Sequence, residues 1–351
     1  MPSLYSGHAE RGSGTSQQHN FGYIEMDRRH FSSGLALLAL TLSSNFSGSA
    51  IAADQPTTVR IGFQKSSTLI NVLKANGELE KALSEIGVKI AWSEFPSGLP
   101  LLEALNVGAV DVSGDVADTV PIFAQAAGAK LTYLATEAPS PTAQALLVKS
   151  DSPLQSVADL KGKKIAVAKA SGSHYLLLAA LAQAGLKFKD IEPAYLTPAD
   201  GRAAFERGSV DAWATWDPFV AAVQKQSDVR VLADGTGIAD YRRYYLASSA
   251  FAAARPDVLK IVFAKLKEAG EWAKKDPEAA AKLLAPVWGL DAEIVAAANA
   301  RRSYVVETVT ADNLADEQKI ADAFFAEKLL PKEIKASEAA IWSPEKKAAA
   351  N

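Results

Sequence analysis

The sequence predicts an α/β fold made of two similar lobes. Short apolar strands alternate with amphipathic helices along most of the chain, a pattern typical of mostly parallel sheets with right-handed crossovers. The order strand, helix, strand, helix, strand occurs twice, about a hundred residues apart. Residues 104–111 (ALNVGAVD) align without a gap to residues 204–211 (AFERGSVD). Because all βαβ units resemble one another, this pattern alone leaves open whether the two copies are true duplicates.

The first copy begins with a strand at residues 59–63 (VRIGF). After a polar loop, Leu79, Leu83 and Ile86 lie at positions i, i+4 and i+7, which indicates one face of a helix. The remaining predicted elements are a strand at 88–92, a helix that begins at 101–105, and a third strand that begins at 109–112 after Gly108.

The second copy repeats this order, and its helices end at glycines, a common helix terminator. A final segment, 255–335, is predicted to be almost wholly helical and to pack on the first lobe. The predicted elements of the second copy are a strand at 164–167, a helix at 175–184, a strand region at 191–196, a helix at 202–206 and a strand at 209–213.

Composition excludes several classes of protein. The chain has 351 residues, 48% of them hydrophobic and 22% charged, with a formal net charge of −3. This is a folding composition, and its length suggests two domains or lobes. The weak negative charge gives no general attraction for nucleic acid or an anionic membrane. The chain contains no cysteine, which excludes disulfides and thiolate chemistry, and with so few histidines we predict no metal site and no cofactor.

Residues 26–53 have the pattern of a secretory signal peptide. Arg28 and Arg29 precede an apolar stretch, residues 35–42, that is too short to span a bilayer. Small residues at positions 50–53 then provide a cleavage site. The paired arginines also permit twin-arginine export.

Residues 1–25 are polar and rich in glycine and serine. Because a signal peptide must lie near the N-terminus, we interpret them as a mis-set start or a cloning remnant upstream of Met26. The mature chain is then expected to begin near Ala53, to keep about 298 residues and to reside in the periplasm without an anchor. His174 is the only histidine that it would retain.

Four polar loops are candidates for a ligand site. Ligands of open α/β sheets bind outside the carboxyl ends of the strands. If two lobes face each other, these loops meet in one cleft, which is the usual place for a small molecule. The loops are residues 64–68, 113–119, 169–174 and 215–218.

The loop at 171–174 (SGSH) is the most informative of the four. A Ser/Gly turn into a helix presents free N–H groups and the positive end of the helix dipole, which together can bind an anion. Capping by Ser171 or Ser173 explains the same residues, whereas Gly172 favours a ligand because it permits close approach. We interpret His174 as a hydrogen-bond donor or cap, because no G-x-S-x-G motif accompanies it.

Two aromatic segments add candidates. Trp213 and Trp216 are three residues apart and cannot both face one side of a strand. We expect Trp216 at the cleft, where its indole would contact an aliphatic ligand and donate one N–H; core packing of both rings is the alternative. Arg242 and Arg243 are expected on a solvated face near the hinge.

These loops and their flanking segments resemble the periplasmic aliphatic sulfonate-binding proteins of ABC transporters, within the wider nitrate/sulfonate/taurine group. The resemblance runs in order through nearly all of residues 54–344. The segments that carry it are 60–65 (RIGFQK), 101–111 (LLEALNVGAVD), 121–128 (PIFAQAAG), 156–165 (SVADLKGKKI), 174–177 (HYLL), 198–218 and 232–237 (LADGTG).

The resemblance implies a periplasmic-binding-protein-like fold, with two α/β lobes joined by a hinge with two crossings and a ligand in the cleft. Lobe 1 would comprise residues 54–142 plus 245–351, and lobe 2 residues 143–244. The implied function is the substrate-binding component of an ABC importer that captures aliphatic sulfonates for sulfur acquisition. The implied protein is a monomer and not an enzyme, and its partner is a membrane permease.

The resemblance also implies that the helix start at 172–175 and polar groups of the first-lobe loops hold the sulfonate. Asp115 departs from the glycine- and threonine-rich loop expected there. A carboxylate near an anion is unfavourable unless it meets a cationic part of the ligand, which suggests taurine or another amino-sulfonate, or unless backbone N–H groups hold it. The candidate ligand-binding residues are Gln64, Asp115, Thr142, Gly172, Ser173, His174, Tyr175, Trp216 and Asp217.

Other functions remain open at this point. The cargo could instead be nitrate, a sulfate ester or a thiamine precursor, since similar loops serve all of them. An enzyme of the pyrimidine-forming thiamine-biosynthesis type uses a related two-lobe scaffold. The signal peptide and the lack of a cysteine or histidine cluster argue against that enzyme.

Overall fold

The computed structural model describes residues 57–345, which lie within one unit spanning residues 52–351. The predictions for residues 1–25 and for the signal peptide at 26–53 lie outside the described residues. The strands are β1 Thr58–Gln64, β2 Lys89–Phe95, β3 Val112–Ala117, β4 Leu131–Glu137, β5 Gln144–Lys149, β6 Lys164–Val167, β7 Glu192–Tyr195, β8 Ala212–Trp216, β9 Val229–Asp234, β10 Arg243–Ser248, β11 Val306–Glu307 and β12 Ala340–Ile341.

The helices cover both sheets and fill the C-terminal third of the described chain. Short 3-10 turns lie at Pro141–Ala143, Val157–Leu160, Phe188–Asp190 and Ala336–Glu338. The α-helices are α1 Thr68–Asn76, α2 Glu78–Ser84, α3 Gly98–Asn106, α4 Thr119–Ala126, α5 Gly172–Gln183, α6 Pro198–Glu206, α7 Phe219–Gln226, α8 Ser249–Ala254, α9 Pro256–Lys275, α10 Pro277–Trp288, α11 Ala292–Ala300 and α12 Ala311–Ala326.

The strands form two sheets, and the chain passes between them twice. The first sheet has the order β11-β4-β10-β3-β1-β2 with β12 beside β4, and the second has the order β7-β6-β8-β5-β9. The crossings are residues 138–143 and 235–242. This topology confirms the predicted fold class of two α/β lobes with a two-crossing hinge. We call the elements on the first sheet the first lobe and those on the second sheet the second lobe.

Each sheet contains the three parallel strands of one sequence copy. β1 pairs in parallel with β2 and β3, and β6 pairs in parallel with β7 and β8. The strands next to the crossings, β5 and β10, pair antiparallel with their neighbours. Each sheet is therefore mixed rather than mostly parallel, because the chain returns from the other lobe on these strands.

An aspartate occupies the same place in both copies. The Asp111 carboxylate accepts a hydrogen bond from the amide of Arg60 at 2.8 Å, and the Asp211 carboxylate accepts one from the amide of Lys164 at 2.8 Å. Each aspartate closes the turn between a helix and the third strand. Because the two aspartates and the residues just before them belong to these turns, the strands start later than predicted. β3 begins at residue 112 and β8 at residue 212, each three residues after the predicted start.

The C-terminal helices pack on both lobes, which differs from the expectation of packing on the first lobe alone. Helices α9 to α11 contribute Val258, Leu284 and Val295 to the core of the first lobe. In contrast, Phe324 of α12 lies in a core that contains Leu177 of the second lobe. The apolar face of α12 therefore connects the two lobes.

No single helix within residues 57–345 has both the length and the apolar character required to cross a membrane. Helices α10 and α11 meet these criteria only when taken together, and they are bent by 117° relative to each other.

Candidate ligand-binding site

A narrow cavity lies between the lobes, at the carboxyl ends of strands from both sheets. Its volume is about 10 Å³, close to the space that one water molecule requires. This is the position that the rule for open α/β sheets predicts. The lining includes Gln64, Leu99, Ala117, Val120, Lys169, Ala170, Ser171, Gly172, Trp216, Tyr241 and Arg243.

Larger clefts of about 530 and 680 Å³ open on the surface of the described chain. One lies beside Lys130 and Lys332 and the other beside Arg202 and Glu206. Residues of only one lobe line the second cleft, and neither cleft contains the loops that follow β1, β6 and β8. We therefore assign the ligand site by position and not by size.

Arg243 is buried at the cavity, which shows that the expectation of a solvated Arg243 was wrong. Its side chain is 2% exposed, and Nη1 donates a hydrogen bond to Asp115 Oδ2 at 2.5 Å. Nη2 donates to the hydroxyl of Tyr241 at 2.9 Å, and the guanidinium also lies over the Tyr241 ring. The Nε atom has no hydrogen-bond partner among the described residues. Arg243 thus provides a desolvated cation with an unused donor.

Asp115 receives its counter-charges from the protein. Besides Arg243, the guanidinium of Arg302 lies 3.5 Å from Asp115 Oδ2. Arg302 also donates to both oxygens of Glu137, and the Tyr245 hydroxyl donates to Glu137 at 2.7 Å. Two buried arginines and two buried carboxylates therefore form a balanced network. Asp115 needs no cationic ligand for its charge to be compensated.

Gln64 and Trp216 place polar groups from opposite lobes at the cavity. Gln64 Nε2 donates to the backbone carbonyl of Asp115 at 2.9 Å. Trp216 Nε1 donates to the hydroxyl of Ser66 at 3.3 Å, so the indole contacts the other lobe. Trp213, by contrast, packs in the second-lobe core against Phe205. The two tryptophans thus face opposite sides of β8, as their spacing requires.

Helix α5 begins at the cavity. Ser171 is its N-cap and accepts a hydrogen bond from the amide of His174 at 3.2 Å, which adds residues 172–174 to the predicted helix. The Ser173 hydroxyl lies 3.0 Å from the Ser171 hydroxyl. Gly172 lines the cavity, and a Cβ there would overlap the ring of Tyr241. The first amides of a helix have no acceptor within it, so this start offers donors to an anion.

Two residues that line the cavity have a left-handed backbone. Ala170 has a φ of 59° and Tyr241 a φ of 54°, and neither is glycine. Such conformations cost about 1–3 kcal/mol each and cluster at functional sites. The protein thus maintains an unfavourable backbone on both sides of the start of α5.

His174 supports the cavity loop from behind. Its Nδ1 accepts a hydrogen bond from the amide of Ala170 at 3.2 Å, and the ring is fully buried. Burial lowers the pKa of His174 to about 3, with a smaller contribution from Lys169, so the imidazole is neutral. The aromatic rings around it are Phe123, Phe188, Tyr195 and Phe324.

Three other predicted site residues, Thr142, Tyr175 and Asp217, do not line the cavity. Thr142 is exposed at the first crossing, and Tyr175 lines a separate cleft with Asp118. Asp217 is buried and accepts hydrogen bonds from Arg301 Nη1 at 2.9 and 3.0 Å. Burial raises the pKa of Asp217 to about 6, while Arg301 acts in the opposite direction. Asp217 thus links the lobes next to Trp216.

Sequence reasoning did not select Tyr241, Arg243 or Lys169 individually. The mixture of cationic and aromatic side chains in residues 241–245 (YRRYY) was the sequence feature that could have indicated Tyr241 and Arg243. Successive side chains of this segment point to opposite sides. Tyr241 and Arg243 therefore line the cavity, whereas Arg242 lines the separate cleft. Within residues 57–345 no group of three or more histidine or acidic side chains could hold a metal ion.

Comparisons with known proteins identify the family of the chain. The family model described as NMT1/THI5 like matches residues 84–280. A protein of Escherichia coli K12 named putative aliphatic sulfonates-binding protein is 45% identical over 312 residues, which cover 88% of this chain and 96% of the relative. The chain belongs to the NMT1/THI5-like family.

Two solved structures are similar to this chain. The periplasmic aliphatic sulphonate binding protein SsuA from Escherichia coli is 44% identical, with a TM-score of 0.76, over 84% of this chain and 95% of its own. The alkanesulfonate-binding protein SsuA from Xanthomonas axonopodis pv. citri, bound to MOPS, is 41% identical, with a TM-score of 0.77, over 82% of this chain and 99% of its own.

Proposed function

We propose that the protein is the substrate-binding component of an ABC importer and captures aliphatic sulfonates between its lobes. The observation that carries this proposal is the buried Arg243, which lines the cavity together with the start of α5 and whose Nε has no hydrogen-bond partner among the described residues. The names of the similar proteins from E. coli and Xanthomonas support the same ligand class.

The residues that line the cavity offer contacts for both halves of such a ligand. A sulfonate is ionised near neutral pH, and its oxygens can accept from the guanidinium of Arg243 and from the first amides of α5. The side-chain amide of Gln64 can also donate to the sulfonate if it gives up its hydrogen bond to the backbone carbonyl of Asp115. Leu99, Val120 and Trp216 supply apolar surface for an alkyl chain.

Hinge closure follows from the size of the cavity. Because its volume is about 10 Å³, the lobes must separate before a sulfonate can enter. We propose that the crossings at 138–143 and 235–242 provide this motion. The lobe limits of 54–142 plus 245–351 and of 143–244 are part of the proposal. The membership of the two sheets supports them except at residues 243–244, which belong to β10 in the first sheet.

The remaining assignments follow from the same role. We propose a monomeric, non-catalytic protein that is exported to the periplasm through the signal peptide at 26–53 and delivers its ligand to a membrane permease. His174 is buried and neutral, which argues against general acid–base catalysis. No specific contact among residues 57–345 favours nitrate, a sulfate ester, a thiamine precursor or an enzyme.

Isothermal titration of the mature protein with pentanesulfonate, sulfate and nitrate tests the proposal. We expect pentanesulfonate to bind most tightly. Arg243→Lys should weaken its binding about tenfold or more, since lysine cannot reproduce the fork of donors. Arg242→Lys is the matched control and should leave the affinity unchanged. Failure of every alkanesulfonate to bind the folded protein would contradict the proposal.

A further inference from the structure

The cavity has a second cation at its rim. Lys169 is the second residue after β6, lines the cavity and is exposed. Among residues 57–345, Lys169 forms no ion pair, and its ammonium lies 6.0 Å from the centre of the Tyr195 ring. The ammonium therefore keeps its hydrogen-bond donors for solvent or for a ligand.

The charges around the cavity all have one sign. Arg243 and Lys169 are the charged side chains that line it, and no carboxylate of the described chain does so. Asp115 lies behind Arg243 and is already paired with Arg243 and Arg302. A ligand with a single negative charge placed at Arg243 would leave the exposed ammonium of Lys169 without an anionic partner from the ligand or from the cavity lining.

The backbone holds Lys169 in a defined place. Its neighbour Ala170 has the left-handed φ of 59°, and the amide of Ala170 donates to His174 Nδ1. On the other side, the Ser171 hydroxyl and amide both donate to the carbonyl of Ala168, at 2.7 and 3.2 Å. The loop is thus fixed at both ends of Lys169, although the lysine side chain itself is exposed.

We propose that Lys169 is a specificity-determining residue that binds a second anionic group on the ligand. The preferred ligands would then include sulfonates with a carboxylate at the end opposite the sulfonate. In this arrangement the sulfonate lies at Arg243 and the start of α5, and the carboxylate accepts from Lys169 as the lobes close. An ammonium at that end would face Lys169 and be repelled. The inference rests on the proposed sulfonate-binding function.

A matched pair of ligands tests the inference by isothermal titration. ω-Sulfobutanoate carries a carboxylate as its second anionic group, and pentanesulfonate has an apolar end of similar length. We expect the wild-type protein to bind ω-sulfobutanoate at least as tightly as pentanesulfonate. Lys169→Met should weaken binding of ω-sulfobutanoate about five- to tenfold and change that of pentanesulfonate less than about twofold.

Two further variants serve as controls. Lys169→Arg keeps the charge and should retain the preference for ω-sulfobutanoate. Lys189→Met removes an exposed lysine of the same lobe that does not line the cavity, and it should change neither affinity. An equal effect of Lys169→Met on both ligands, or no effect on either, would overturn the inference.

The wild-type affinities separate this inference from the proposed function. Binding of pentanesulfonate without binding of ω-sulfobutanoate would overturn the role of Lys169 and leave the sulfonate proposal intact. Binding of neither ligand would overturn both.

Discussion

Arg243 and Asp115 lie 128 positions apart in the sequence and form a buried ion pair at the ligand cavity. Local patterns could not predict this pair, because its burial depends on Arg302 and on the packing of both crossings. The position of Trp216 could be predicted, since the strand period separates it from Trp213. The positions of some site residues therefore depend on local geometry, and those of others depend on partners far away in the sequence.

His174 should make stability depend on pH below neutrality. In the folded protein its pKa is about 3, whereas the unfolded chain takes up the proton near pH 6.5. Stability is therefore complete above about pH 6.5 and falls as the pH decreases toward 3, by about 1.4 kcal/mol per pH unit from this group.

Urea unfolding of the wild type and of His174→Gln between pH 4 and 7 measures this effect. This range covers most of the interval between the folded and the unfolded pKa of His174. Glutamine can still accept from the Ala170 amide but does not titrate. The variant should lack the His174 part of the slope, while Asp118 and Asp217, whose burial raises their pKa values, affect both proteins alike. Parallel pH profiles would contradict the assignment.

At the scale of elements, the alternating strands and helices were predictable because their periodicity is local. The start of α5 was predicted three residues late, since the cap by Ser171 adds a polar first turn that periodicity cannot detect. The packing of α12 on both lobes was also missed. An amphipathic helix shows that one face is buried but does not show which partner covers it.

Neighbouring phenylalanines of α12 allow a matched test of its packing. Phe324 is fully buried against Phe123 and His174, with ring centroids 5.0 Å apart in each pair, whereas Phe325 is 37% exposed. Phe324→Ala should lower the free energy of unfolding by about 3–5 kcal/mol. Phe325→Ala should change it by about 0.5 kcal/mol. Equal losses in urea denaturation would show that α12 does not connect the lobes as described.

At the scale of the whole molecule, two ion pairs join the lobes at different depths. Arg301 contacts Asp217, whose side chain is 3% exposed, while Lys225 and Glu293 are both exposed. Removing one partner of a buried pair leaves an uncompensated charge, whereas exposed pairs contribute little. The Arg301–Asp217 pair should therefore stabilise the closed arrangement far more than the exposed pair.

Arg301→Met should thus weaken binding of pentanesulfonate about tenfold or more, mainly through faster dissociation. Lys225→Met, which breaks the exposed interlobe pair, should change the affinity less than about twofold. Stopped-flow dissociation rates of the two variants provide the comparison. Similar rates for both variants and the wild type would exclude a role for the buried pair in holding the lobes closed.

The most direct test of the account is a crystal structure of the mature protein grown with pentanesulfonate. The account predicts the sulfonate between the two sheets, within hydrogen-bond distance of the Arg243 guanidinium and the first amides of α5, with the alkyl chain against Trp216. A sulfonate bound in one of the surface clefts, or between the lobes without contact to Arg243, would contradict the account.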